Sequence, residues 1–172
     1  MKTILLSFLA ISPLLAQGPL TPPGAPAPTM KSLDQIEPRI PISSLPYTIN
    51  ASGSYYFTGN LAFSAVSGDA ITITASNVTL DLMGYTLSST AGVTGRAISS
   101  TAASGITIRN GKIQGTTTVT ITGTAPTQTW STAASGFSYG IYDFSKQGIY
   151  EELQIKGCRL SGLFAINGGC IV

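Results

Sequence analysis

An all-β solenoid, built from short strands coiled in parallel, is the fold class the sequence predicts. Three observations predict it. Charged residues are only 9% of the 172, while Gly, Ser and Thr are abundant and aliphatic residues fall in short β-branched clusters. Apolar residues within those clusters alternate with polar ones, the period of a strand with one buried face. The clusters also recur at a nearly constant spacing: Ile71 returns as Ile98, and Val78 returns as Ile106. Repeats of roughly 20 to 50 residues built from short strands indicate a solenoid or a propeller. The turns hold too few residues for a four-stranded propeller blade of about 40, so parallel coiling fits better.

The elements follow in order along the chain. Lys2 precedes an apolar run from Ile4 to Leu15, and Leu14-Leu15-Ala16 before Gln17 predicts a signal peptide over residues 1–16. The expected location is therefore outside the cytoplasm: secreted, periplasmic or at the cell surface. The run is too short for a bilayer core of ~30 Å and Pro13 interrupts it, so no membrane span is expected after its removal. Residues 17–42 read as a Pro-rich extended linker, carried by Pro19, Pro22, Pro23, Pro26 and Pro28. The folded domain is expected over 43–172.

Within that domain Val78-Thr79-Leu80-Asp81 lies over Ile106-Thr107-Ile108-Arg109. The spacing predicts a core column in which Ile71, Val78, Leu80 and Leu87 stack on Ile98, Ile106, Ile108 and Ile113. A third copy, Leu153-Gln154-Ile155-Lys156-Gly157, aligns with Ile106-Thr107-Ile108-Arg109-Asn110 at a wider spacing, read as one turn plus an insertion. That insertion is placed at about 116–139, as a loop or hairpin holding Val119-Thr120-Ile121 and the lone Trp130, which is read as packing onto the coil in preference to a sugar ring. The final residues, Cys170-Ile171-Val172, supply no polar cap, so the chain reads as the first turns of a longer solenoid, with self-association through an open C-terminal turn as an expected liability. Cys158 and Cys170 fit neither a disulfide framework nor a zinc site in a chain without histidine; buried apolar thiols are favoured over a single disulfide.

Gly53-Ser54-Tyr55-Tyr56-Phe57-Thr58-Gly59-Asn60-Leu61, Asn77-Val78-Thr79-Leu80-Asp81-Leu82 with Gly84-Tyr85-Thr86-Leu87, and Ile106-Thr107-Ile108-Arg109-Asn110-Gly111 together resemble the entry turns of secreted bacterial proteins of the pectin-lyase-like superfamily. The resemblance covers roughly Ser43 onward. It implies a right-handed parallel β-helix and a link to carbohydrate, but no single activity, because lyases, hydrolases, epimerases and adhesins share the fold. Met83 stands where Asn110 stands one turn later, so a continuous asparagine ladder is not expected.

Candidate chemistry is sparse. The net charge of +2 excludes bulk electrostatic binding of nucleic acid. No cofactor or metal is expected, because Asp34, Glu37, Asp69, Asp81, Asp143, Glu151 and Glu152 do not align on successive turns. Glu151 and Glu152 are adjacent and would point to opposite faces of a strand. Tyr139-Gly140-Ile141-Tyr142-Asp143 is weakly similar to an alginate-epimerase motif that lacks its histidine here. Asn50-Ala51-Ser52 and Asn77-Val78-Thr79 match the glycosylation pattern, Asn77 fitting a turn residue equally well. In the alignment of the third copy, Arg109 and Lys156 share a column above Asp81, and Lys112 and Arg159 share its neighbour. Arg109, Lys112, Lys156 and Arg159 are therefore the expected binding face, for an anionic polysaccharide. The favoured function is a non-catalytic or catalytically incomplete binding module. Its rivals are the N-terminal part of a polysaccharide lyase or epimerase, and an adhesin or structural solenoid.

Overall fold

The computed structural model describes residues 38–166, apart from 91, 93 and 102. The expected signal peptide, most of the linker, Cys170 and the chain's last residues fall outside these. Among the described residues there are strands and no helix. They are β1 (Ile40–Ile42), β2 (Tyr47–Ile49), β3 (Gly53–Phe57), β4 (Leu61–Phe63), β5 (Ile71–Ile73), β6 (Val78–Asp81), β7 (Thr86–Ser89), β8 (Ile98–Ser100) and β9 (Ser104–Gln114). After these come β10 (Thr118–Thr122), β11 (Thr129–Ala133), β12 (Tyr139–Asp143), β13 (Lys146–Lys156) and β14 (Ser161–Ala165). β1 falls inside the stretch read as linker. It pairs with Tyr55–Phe57 of β3 and buries Ile42 completely, so ordered structure begins before residue 43.

Two parallel sheets carry the fold. One runs β2-β5-β8-β12-β14; the other runs β1-β3-β6-β9-β7-β4, with β13 on the far side of β9. Parallel neighbours need long connections. Here the connections contain strands of the other sheet or of another stretch of the same one, together with turns and, between β9 and β12, the separate hairpin of β10 and β11. That all-β, mostly parallel arrangement is compatible with a β-solenoid. The long strand β9 serves two neighbours: Ile106–Arg109 pairs with β6 and Lys112–Gln114 with β7. It bends between them at Asn110, which has φ 56°. Glu152, its register partner in β13, has φ 53°, and Met83 has φ 53° at the same corner one turn earlier. Asn tolerates this left-handed conformation, whereas Met and Glu there cost on the order of 1 kcal/mol each. A second corner stacks Asn77 (φ 55°), Gly105 (φ 65°) and Gln147 (φ 64°).

The core fills the space between the sheets. Ile71 faces Ile98, Val78 faces Ile106, Leu80 faces Ile108 and Leu87 faces Ile113, the pairings the repeat predicts. All eight side chains are buried. One inward column turns polar along its length: Ile49 and Ile73 are followed by Ser100 and Asp143. The interruption after Ile113 is a two-stranded antiparallel hairpin, β10 with β11, that pairs with neither sheet.

Candidate functional site

The register of β13 decides which charges meet. Glu151 stands opposite Arg109, Leu153 opposite Gly111, Gln154 opposite Lys112 and Lys156 opposite Gln114. The alignment expected from the third copy of the repeat is corrected. Lys156 does not share a column with Arg109, nor Arg159 with Lys112. Arg159 lies past the end of β13, its backbone N–H donating to the Phe137 carbonyl at 2.8 Å. The physical cause lies in what points inward. Where β9 buries Ile106 and Ile108, β13 uses Gly148 and Tyr150. A Cβ at Gly148 would strike the Tyr150 hydroxyl and come within 2.7 Å of Asp143 Oδ2, so glycine makes room for the ring. Leu153-Gln154-Ile155 imitates the Ile106-Thr107-Ile108 pattern because it too alternates and then meets a left-handed corner, Gly157 at φ 68°. It lies one side further round the turn.

With that register the charges sort into two groups. Asp81 is 5% exposed. Its Oδ1 accepts from Met83 N at 2.8 Å and Asn110 Nδ2 at 3.1 Å. Its Oδ2 lies 3.3 Å from Arg109 Nε and 3.7 Å from Arg39 Nη1. Arg109 Nη1 in turn reaches Glu151 Oε1 at 4.0 Å. An alternating ladder, Arg39, Asp81, Arg109, Glu151, thus runs across the sheet, Arg39 reaching Asp81 past Tyr56 of β3. Arg39 also lies 4.9 Å from the centre of the Tyr56 ring. Arg109 is thus paired on both sides while its side chain stays 43% exposed.

Lys112 and Lys156 form the second group. Both are exposed, on adjacent strands. Gln154 faces Lys112 across the ladder and Gln114 faces Lys156, so the two lysines stand diagonally, their Cα atoms about 8 Å apart at strand spacing. Thr86 and Ser88 of β7 extend the same two rows. Each of these six positions is polar and none is a carboxylate. Beside them a groove of about 520 Å³ opens between Gln114, Lys156 and the foot of the hairpin, Thr116 to Thr118. Lys112 and Lys156 were among the residues expected from the sequence, and the register sets them on adjacent strands. Sequence reasoning missed Gln114, Gln154 and the threonine wall, whose alternation with buried Ile113 becomes a shared face only once the register is known.

The remaining candidates are committed elsewhere. Asp143, the carboxylate of the Tyr-Gly and Asp stretch, is 2% exposed and faces inward. It accepts from Ser145 N and Ser145 Oγ, both at 2.6 Å, and from the Tyr150 hydroxyl. Tyr142 is held between the Arg96 guanidinium, 4.1 Å from its centre, and the Phe164 ring, 5.2 Å away and nearly parallel. Asp69 pairs with Arg96 at 3.6 Å. The side chain of Trp130 lies outside what is described. Cys158 carries a free thiol, half-buried against the core, and burial pushes its pKa above the ordinary value. A larger cavity of about 700 Å³ has Ile141, Tyr150, Ile155 and Leu163 on one side and Lys112, Gln154 and Glu152 on the other, so it adjoins the lysine face. Among the described residues no cluster of three His, Cys, Asp or Glu could hold a metal ion, and no helix is long and apolar enough to cross a membrane. Comparison with protein-family models, curated proteins and solved structures finds no match for this chain.

Proposed function

We propose that the chain forms a secreted right-handed parallel β-helix that binds an acidic polysaccharide along the face built by Lys112, Gln114, Gln154 and Lys156. The observation that carries the reading is the pairing of two exposed lysines on one polar face with no carboxylate among its six positions. Export rests on the leader at residues 1–16, and the right hand on the strong preference, ~98%, of parallel β-crossover connections. A polyuronate offers carboxylates to the ammonium groups and hydroxyls to the glutamines and threonines, the mixture of charge and hydrogen bonding this face can answer. Arg109, bound to Asp81 and Glu151, and Arg159, past the end of the sheet, play no direct part.

The binding-module reading is preferred to catalysis because both buried carboxylates among the described residues are already satisfied, Asp81 by Met83 N, Asn110 and two arginines, Asp143 by Ser145 and Tyr150. Neither is open to a substrate proton. The full chain is expected to be retained on immobilised polygalacturonate at low salt and released as salt rises. The double variant Lys112→Ala/Lys156→Ala should elute at distinctly lower salt, while Arg159→Ala elutes with the parent. Parent and double variant eluting together would remove this face from the reading.

A further inference from the structure

Among the described residues the hairpin is the one element whose shape the coil does not explain. β10 and β11 hydrogen-bond to each other and to neither parallel sheet. Every side chain of β10 is exposed, and Val119 and Ile121, on one side of the ribbon, are 57% and 50% exposed. An isolated two-stranded ribbon is marginal in water, and three or more strands are usually needed for a stable sheet. Natural edge strands are normally blunted by a lysine, a proline or a bulge. Thr118-Val119-Thr120-Ile121-Thr122 has none of these, and from Ile113 to Tyr142 there is no Asp, Glu, Lys or Arg.

We propose that this ribbon is a self-association element, and that β10 pairs edge to edge, antiparallel, with β10 of a second copy of the chain to give a four-stranded sheet. The inference is independent of polysaccharide binding. Two features of the strand select a second copy. The first is that the sequence is self-complementary under a two-fold axis through Thr120. Val119 of one copy then faces Ile121 of the other, and Thr118 faces Thr122, so apolar meets apolar and hydroxyl meets hydroxyl. β11 lacks this property, because a two-fold through Ser131 would set Trp130 against Thr132. The second is charge. The chain is net cationic, so two copies repel weakly over their general surface, while the ribbon is neutral and meets its counterpart without repulsion. Extending the ribbon to four strands gives β10 partners on both edges and joins two Val-Ile pairs on one face.

The test is sedimentation velocity of the full chain over a range of concentrations, with charge introduced at the axis. Thr120→Arg and Thr120→Glu each place like charges directly opposite one another in the pair. Each alone should weaken association by about tenfold or more, with far-UV circular dichroism unchanged because the site is exposed and remote from the core. An equimolar mixture of the two variants should regain the dimer, since Arg then faces Glu. A parent chain that is monomeric at every concentration would overturn the proposal. So would single variants that dimerise as the parent does, or a mixture that gains nothing over its components.

Discussion

Asp81 holds more of the structure than its place at the last residue of β6 suggests. It is nearly buried, and four groups from three separate segments converge on it: Met83 N, Asn110 Nδ2, Arg109 Nε and Arg39 Nη1. Removing the carboxylate leaves a backbone N–H and a side-chain amide without their acceptor. The arginines are partly exposed and can hydrate, which limits the loss. Asp81→Ala should therefore cost about 2–3 kcal/mol in urea unfolding, and Asp81→Asn, which keeps an acceptor for Met83 N, roughly half of that. A loss below about 0.5 kcal/mol for Asp81→Ala, the range of an ordinary surface substitution, would show that the ladder is ornamental.

Cys158 makes a prediction with a definite sign. Burial disfavours its thiolate, so its folded pKa lies above that of the unfolded chain. Below the ordinary thiol pKa both states are protonated and the contribution to stability is fully present. As pH rises past that value the unfolded chain ionises first, and stability is lost up to the folded pKa. In a Cys170→Ser background, the urea midpoint should fall between pH 8 and pH 10 by more in the parent than in Cys158→Ala. Equal falls would place the titration elsewhere. At this scale the sequence was legible only where environment is local. That Asn77 could occupy a turn was readable from its type; that Glu152 and Gln147 also adopt left-handed corners was not, because only neighbouring turns hold them there.

At the scale of elements, the strands that the repeat could index were legible and the one it could not was misplaced. Ile71, Val78, Leu80 and Leu87 have aliphatic counterparts one turn on, so their partners follow from spacing alone. β13 replaces two of those aliphatics with Gly148 and Tyr150, a size exchange that a residue-by-residue comparison scores as mismatch. The better-looking match further along was a neighbouring side of the same turn. That slip moved Lys156 and Arg159 into columns they do not occupy; Lys156 stands opposite Gln114 instead. The hairpin, by contrast, is held at its foot by Thr117 and Ser135, which exchange hydrogen bonds of 2.7 and 3.1 Å. Replacing residues 118–133 with a two-glycine link should leave the coil's unfolding free energy within about 1 kcal/mol of the parent, because β10 is solvent-exposed and neither strand pairs with the coil. A loss of several kcal/mol would mean that the ribbon braces the coil.

At the scale of the whole molecule, function is a matter of which outer surface remains uncommitted once the fold has used what it needs. The Asp81 ladder neutralises Arg109. Arg96 is taken up by Asp69 and Tyr142, and Asp143 is sealed inside. The polar face around Lys112 and Lys156 is exposed on the sheet, with the threonine groove beside it. A ligand bound there spans β9 and β13, two successive turns, and should stabilise their stacking in proportion to its affinity. The most direct measurement is thermal unfolding of the full chain with and without polygalacturonate, followed by far-UV circular dichroism. A single cooperative transition is predicted, raised by about 5 °C or more at ligand roughly a hundredfold above its dissociation constant, unmoved by a neutral glucan, and no longer raised in Lys112→Ala/Lys156→Ala. A transition that acidic and neutral polymers leave equally unmoved would contradict the account.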